Sequence, residues 1–549
     1  MTANFDYVII GAGSAGSVLA SRLSEDPDVT VCLLEAGPRD WNPMIHIPAG
    51  FMKTFYDRSI NWCYEQEPGP YTTGRRIYAP RGKTLGGSSA INGHIINRGQ
   101  RADFDHWGQL GNRGWSYGDI LPNFKRLERR IGPADETYRG RDGMLPVTDL
   151  DWRHPLCDAF IEGAVAHGIP RNPDYNTGVQ EGISYAQRAI MNGRRMSAAT
   201  TFLKPAMKRP NLHVKTNAQV TRIELDGKRA TSVHYNIGGR QGASATVHAH
   251  REIILSGGAY NSPQLLILSG IGPAGQLQDH GIAVRHALAG VGEGLQDHYA
   301  TRSVGRVKNT KTINDQVRGL SFYSEALKYL VARKGVLALS PTLVYCFWHS
   351  GETAETSDLQ LTFTPASYLD GVKGKLEPEP GMTVTSWQQR PESRGHLRLR
   401  SANPFDSPLI QTNYLAEEID RRVFLAGMKL ARTLLRSKAL APYLDHEAFP
   451  GSEIQNDDEL FQAGISRAQT TFHPGCTCRM GPQHDPLAVV DERLKAHGLE
   501  GLRVVDASVM PRMISANLNA STLMIAEKAA DMIRGREPPD AIPETILAA

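Results

Sequence analysis

The chain has 549 residues, 40% hydrophobic and 21% charged, with a formal net charge of +4. That length exceeds what one core supports, so two or more domains are expected, and the short, interrupted basic clusters (Lys125-Arg126, Arg129-Arg130) exclude a nucleic-acid footprint. Six scattered cysteines read as reduced thiols, and with neither a leader-like N-terminus nor an apolar run of about 18 residues the expectation is a cytoplasmic protein without a transmembrane segment.

Residues 5–10 (Phe-Asp-Tyr-Val-Ile-Ile) are short, β-branched and ended by glycine, which predicts a buried strand. Residues 14–23 read as a helix and 29–34 as the next strand. This is a βαβ unit with short connections, and it implies a parallel sheet covered by helices. Its first turn, Gly11-Ala12-Gly13-Ser14-Ala15-Gly16, has the glycine spacing of a dinucleotide site. Gly11 permits the tight turn, Gly13 lets backbone approach a pyrophosphate and Gly16 allows close helix–strand packing. The helix N-terminus offers N–H groups and partial positive charge to phosphates. Glu35 closes the second strand 19 residues beyond Gly16, where an acid accepts bonds from ribose hydroxyls. The unit predicts dinucleotide binding and leaves NAD and FAD both open.

Further on, 81–93 (Arg-Gly-Lys-Thr-Leu-Gly-Gly-Ser-Ser-Ala-Ile-Asn-Gly) is too rich in small residues to fill a core. It suits a loop pressed against a planar ligand, because a free surface loop would leave Leu85 and Ile91 exposed. Segments 212–214, 220–225, 231–235 and 251–255 read as strands, the middle two joined by the hairpin dipeptide Asp226-Gly227. In structural terms 258–272 is a strand end, a turn, a helix opened near Pro263 and a Ser-Gly stop.

From about 300 to 470, alternating segments (358–363, 396–400) mix with amphipathic helices (321–332, 420–436). A second, α+β domain is predicted there, inserted before the chain returns to the first. Residues 502–505 read as a strand, and 521–534 as a final helix stopped by Gly535. Ahead of that strand lies Phe472-His473-Pro474-Gly475, and between strand and helix lies Ser515-Ala516-Asn517-Leu518-Asn519. The loop setting of His473 makes it a candidate site residue. Cys476 and Cys478 stand two apart with no second pair nearby, short of the four ligands of a zinc site, so no metal is expected.

In combination these motifs resemble the glucose–methanol–choline (GMC) oxidoreductases over nearly the whole chain. The glycine turn, 81–93 and 258–272 are similar to three family signatures, and 472–481 and 501–527 to its C-terminal block. The resemblance implies an α/β fold in two parts. One is a Rossmann-like FAD-binding domain with a parallel sheet, drawn from residues 1–155, 191–305 and 470–549. The other is an α+β substrate domain with a mainly antiparallel sheet, drawn from 156–190 and 306–469. It also implies His473 as the active-site histidine and Asn517 as the second active-site position. The implied FAD-binding residues begin with Gly11, Gly13, Ser14, Ala15 and Gly16, followed by Glu35 on the adenosine ribose and Ala36. Thr84, Gly87, Ser88, Asn92 and Gly93 follow from the second motif, then Val220, whose backbone meets adenine, and finally Asp506, Ala507 and Asn519.

Two positions depart from the family pattern. Cys476 stands where glycine is usual, which is expected to alter that loop slightly. Some choline-oxidising members link FAD through a histidine aligned with Ile91; isoleucine cannot form that bond, so FAD is expected to be non-covalent, with His94 the weaker candidate anchor. The expected reaction is oxidation of a primary alcohol to an aldehyde by hydride transfer to flavin N5. His473 is then the general base and Asn517 a hydrogen-bond donor to the substrate oxygen, while a helix starting near 520–521 directs its positive end toward the flavin. The substrate is choline-like, caged by Trp62, Tyr64, Trp348 and Trp387, or else an aryl or furanic alcohol. The electron acceptor is oxygen or a quinone. The alternative is a hydroxynitrile lyase on the same scaffold, with FAD structural.

Overall fold

The computed structural model describes residues 3–352, 356–369 and 375–547, arranged around two seven-stranded sheets. In chain order the strands begin with β1 (Ala3–Ile10), β2 (Val31–Leu34), β3 (Gly182–Tyr185), β4 (Leu212–Lys215), β5 (Ala218–Asp226), β6 (Arg229–Ile237) and β7 (Ala243–Leu255). They continue with β8 (Tyr299–Val307), β9 (Val344–Trp348), β10 (Leu359–Thr364), β11 (Gly381–Gln388), β12 (Leu444–Phe449), β13 (Gln469–Thr470) and β14 (Leu502–Val504). The helices that matter to the site are α1 (Ser14–Leu23), α2 (Pro155–Ala166), α3 (Gly258–Leu268), α4 (Gly319–Ala332), α5 (Glu418–Leu435) and α6 (Leu518–Arg534).

The first sheet runs β4-β2-β1-β7-β6-β5, with β14 also paired to β7. Its β4, β2, β1, β7 and β14 are mutually parallel. Val8, Ile9, Val31, Cys32, Leu33, Ile253, Ile254 and Leu255 are buried on both faces, which is why these strands read as continuous apolar runs instead of alternating ones. Residues 243–248 of β7 pair antiparallel with β6, and 253–255 pair parallel with β14, so one long strand joins the hairpin β5–β6 to the parallel core.

The second sheet runs β12-β8-β11-β10-β9-β3, with β13 paired to β8, and every pairing is antiparallel. Period-two alternation sorts its residues. Leu359, Leu361, Phe363, Met382 and Val384 pack under α2 and α5 against Leu156, Phe160, Val423 and Leu434. Burying each such side chain stabilises by about 1.5–3 kcal/mol. Thr362, Thr364, Thr383, Thr385 and Trp387 line a cavity on the opposite face. β8 runs across the boundary expected at 305/306.

Two helix starts differ from the sequence reading. α3 begins at Gly258, with Pro263 inside it. Pro263 has no N–H for the carbonyl of Ala259, which instead accepts from Thr477 Oγ1 at 2.7 Å. α6 begins at Leu518 with Asn517 as its N-cap, three residues before the expected start.

Candidate active site

A cavity of about 1020 Å³ lies between the carboxyl ends of β1, β2 and β7 and the threonine-rich face of the second sheet. Its position obeys the rule that open α/β sheets bind ligands beyond their strand carboxyl ends. The glycine turn forms one end. A Cβ on Gly16 would lie 1.9 Å from Gly11 O, so this position serves helix–strand contact and stays out of the cavity. A Cβ on Gly13 would come no nearer than 3.9 Å to protein, leaving space for a ligand to approach the backbone. No side chain caps α1 at Gly13, so its first N–H groups remain available to a phosphate. Gly87 of the second loop sits directly over Gly13: its Cβ would fall 2.7 Å from Gly13 Cα.

Glu35 is buried, accepting from Ala12 N at 2.9 Å and Gly37 N at 2.8 Å. Burial lifts its carboxyl to about 7, against the pull of those two N–H groups and of Lys83. Asp506 Oδ2 accepts from Gly258 N (2.8 Å) and Ser262 Oγ (2.6 Å), and Oδ1 accepts from Ser508 N (2.8 Å), pinning the start of α3 to the end of β14. Ser14 Oγ donates to Asn519 Oδ1 at 2.7 Å, joining the N-termini of α1 and α6. Asn92 Oδ1 accepts from Arg195 at 2.8 Å and from His94 N at 3.1 Å, which leaves the amide nitrogen as the part available to a ligand.

At the other end of the cavity are His473 and Asn517. Asn517 makes no capping bond with its side chain. Tyr345 OH donates to its Oδ1 at 3.1 Å, and its Nδ2 donates to His473 Nε2 at 3.0 Å. On the far side of the ring, His473 Nδ1 stands 2.9 Å from His298 Nδ1 and 2.8 Å from Thr471 Oγ1. His298 Nε2 faces the carbonyl of Gln389 at 2.7 Å. A carbonyl only accepts, so His298 carries its proton on Nε2 and its Nδ1 is an acceptor. His473 is therefore the donor at Nδ1, and its Nε2 holds a lone pair beside the Asn517 amide. Burial, then His298 and Arg81, hold the His473 imidazolium well below the usual range, so the ring is neutral.

The loop carrying His473 is fixed by a buried acid. Asp297 accepts from His473 N (2.8 Å), Thr470 Oγ1 (2.5 Å) and Tyr414 OH (2.7 Å). Arg81 donates to Phe472 O at 2.7 Å. Cys476 holds φ +72 and donates its N–H to Ala507 O at 3.2 Å. A φ of this sign is one that glycine adopts freely and that cysteine bears at a strain of about 1–2 kcal/mol.

Most sequence-predicted positions meet in this one cavity: Gly11, Gly13, Ser14, Ala15, Glu35, Ala36, Gly87, Ser88, Asn92, Gly93, Val220, His473, Asp506, Ala507, Asn517 and Asn519 all line it. Thr84 and Gly16 do not. Thr84 is buried behind the wall with its hydroxyl donating to Pro38 O at 2.9 Å. The aromatic cage does not assemble. Trp62 and Trp387 line the cavity, whereas Tyr64 and Trp348 do not. Trp62 already stacks on Tyr64 at 5.7 Å and carries Lys83 Nζ 4.5 Å from its ring centroid. Asp297, His298 and Tyr345 had no place in the sequence expectation. The sole available signal was the Asp297-His298 pair closing a glycine-rich stretch just before β8.

A split site of this kind, dinucleotide cradle at one end and His/Asn pair at the other, is that of a flavin-type oxidoreductase. GMC oxidoreductase models match residues 5–300 and 391–526, and the chain belongs to this family. It is 42% identical to the oxygen-dependent choline dehydrogenase of Staphylococcus saprophyticus, covering 98% of this chain and 96% of that one. To the alcohol dehydrogenase (acceptor) of Pseudomonas putida it is 40% identical, covering 96% and 95%. Pyridoxine 4-oxidase from Mesorbium loti superposes with a TM-score of 0.86 at 32% identity, covering 97% and 100%. The chain is an oxidoreductase of this family, and nothing in these likenesses supports the lyase alternative. The open space at Gly13, the uncapped start of α1 and the carboxylate of Glu35 fit FAD.

Proposed function

We propose that the protein oxidises a primary alcohol to its aldehyde, with FAD held non-covalently. The observation that carries this reading is the lone pair of His473 Nε2, fixed next to the Asn517 amide at 3.0 Å in the wall of the cavity. A hydroxyl group seated there donates its proton to His473 Nε2 and accepts from Asn517 Nδ2, so one residue takes the proton while the other steadies the developing alkoxide. Proton transfer makes His473 an imidazolium, with Thr471 Oγ1 2.8 Å from its Nδ1 to accept the N–H. FAD, when bound, supplies the hydride acceptor. Ile91, buried in a small apolar cluster with Ile45, Ile60 and Ala90, offers no atom for a flavin bond. Acid precipitation should therefore release the flavin into the supernatant.

Substrate charge follows from the cavity wall. Among the described residues its acids are Glu35 and Asp506, both at the dinucleotide end, while Arg81, Arg302 and Arg467 line the substrate end. A quaternary ammonium finds no carboxylate among those residues to balance its charge, so an uncharged aryl, furanic or aliphatic alcohol fits better than choline. Anaerobic mixing with an alcohol panel tests both points. Bleaching of the flavin by uncharged alcohols and its absence with choline are expected; reduction by choline alone overturns the substrate reading. His473→Ala should slow bleaching by about 10²–10⁴-fold with flavin content retained. Reduction at the parent rate would remove His473 as base. Reoxidation of the reduced enzyme by oxygen or by a quinone identifies the acceptor.

A further inference from the structure

Helix α4 is amphipathic in sequence but mounted the other way round. Its one buried side chain is Tyr329, whose hydroxyl donates to Gly193 O at 2.9 Å, and Glu325 turns inward to accept from Val336 N at 2.9 Å. Leu320, Tyr323, Leu327, Leu330 and Val331 fall on one stripe at helical spacing and are 87%, 71%, 62%, 68% and 79% exposed. Single exposed apolar residues are ordinary. A continuous row of five along three turns marks a surface that another apolar phase covers.

Charge decides which phase. Residues 308–334 hold Lys308, Lys311, Arg318, Lys328, Arg333 and Lys334 against Asp315 and Glu325, six cations to two acids. The +4 of this segment equals the formal net charge of the entire chain. The two acids are engaged locally: Asp315 accepts from Thr312 N at 2.7 Å and Glu325 bonds inward. A second copy of the chain would meet this face with the same positive charge across a two-fold interface. An anionic bilayer would neutralise it.

We propose that α4 docks the enzyme on an anionic phospholipid surface, its apolar stripe in the acyl boundary and Arg333 and Lys334 at the level of the phosphates. The helix passes through Gly335 into residues 336–342, and Pro341 and Thr342 line the active-site cavity. Docking therefore sets that wall beside the bilayer, from which an apolar alcohol or electron acceptor can be drawn. Docking of α4 does not depend on the role of His473.

The test is co-sedimentation of the FAD-loaded protein with phosphatidylcholine vesicles, with and without phosphatidylglycerol. Binding that requires phosphatidylglycerol and weakens with added salt is expected. The double variant Leu320→Glu/Leu327→Glu should lower partitioning about tenfold or more, with flavin content and alcohol turnover in solution unchanged. Arg333→Glu/Lys334→Glu, which leaves the apolar stripe intact, should weaken binding to the anionic vesicles alone. Failure of the parent to sediment, or equal sedimentation of parent and both variants, overturns the proposal. So does a parent dimer in light scattering that Leu320→Glu/Leu327→Glu converts to monomer while neither binds vesicles, because the stripe is then a self-interface.

Discussion

His298 and His473 face each other through their Nδ1 atoms at 2.9 Å, although 175 residues separate them in the chain. The carbonyl of Gln389 sets the proton of the first ring, and the first ring sets the proton of the second. The lone pair at Nε2 of His473 is thus set by a backbone carbonyl two hydrogen bonds away.

Removing His298 should expose this control. In His298→Ala the neutral His473 ring loses the acceptor that fixes its proton on Nδ1, a hydrogen bond of about 0.5–1.5 kcal/mol, or roughly 2- to 13-fold in flavin reduction. His298 also helps hold the His473 pKa down. The acid limb of kcat/KM should therefore move to higher pH in the variant. A slower enzyme with an unmoved limb would reduce His298 to packing.

The pH profile of the parent follows from the same burial. His473 works unprotonated, and its pKa lies well below 6.5 because of burial first, then His298 and Arg81. Its contribution is complete above that depressed pKa and fades as pH falls through it. Turnover should be flat through neutrality and decline only in acid. An acid limb at or above pH 6.5 would contradict the neutral-ring assignment.

Glu35 gives a second pH signature, in binding and not in turnover. Its carboxyl titrates near 7 because of burial, and ribose hydroxyls donate to the carboxylate form. FAD reassociation with the apoprotein should be full above that pH and weaken as pH falls through it. Glu35→Gln should bind FAD less tightly and without this dependence. Titration of apoprotein by flavin fluorescence quenching measures both.

The turn glycines should separate by role. Gly16→Ala places a Cβ 1.9 Å from Gly11 O and should destabilise the first domain itself, lowering the melting temperature of the apoprotein. Gly13→Ala meets no protein atom within 3.9 Å, so the apoprotein should keep its stability and lose FAD affinity. Equal effects of both on the apoprotein would remove the distinction.

Legibility in the sequence tracked the range of the interactions. The β1–α1–β2 unit and the β5–β6 hairpin were readable because glycine placement, β-branching and Asp-Gly turn chemistry act over a few residues. The start of α6 was misread because the amide of Asn517 makes no cap bond and points into the site, so the usual capping signal marks nothing useful. The start of α3 was misread because Thr477, 218 residues away in sequence, satisfies the carbonyl that Pro263 leaves open. The wall of the second sheet read as generic alternation. Which face would turn polar toward the ligand became visible only once α2 and α5 covered the other.

By itself, then, the sequence determined the dinucleotide cradle, through residue types at short spacing, and the candidacy of His473 and Asn517, through the resemblance of several ordered motifs to the family. Only the tertiary structure decided which nitrogen of His473 keeps its lone pair, that Tyr345 orients the Asn517 amide, that Thr84 stands behind the wall, and that α4 turns its apolar side outward. Those facts depend on partners brought together from distant parts of the chain, where spacing along the sequence carries no information about distance in space.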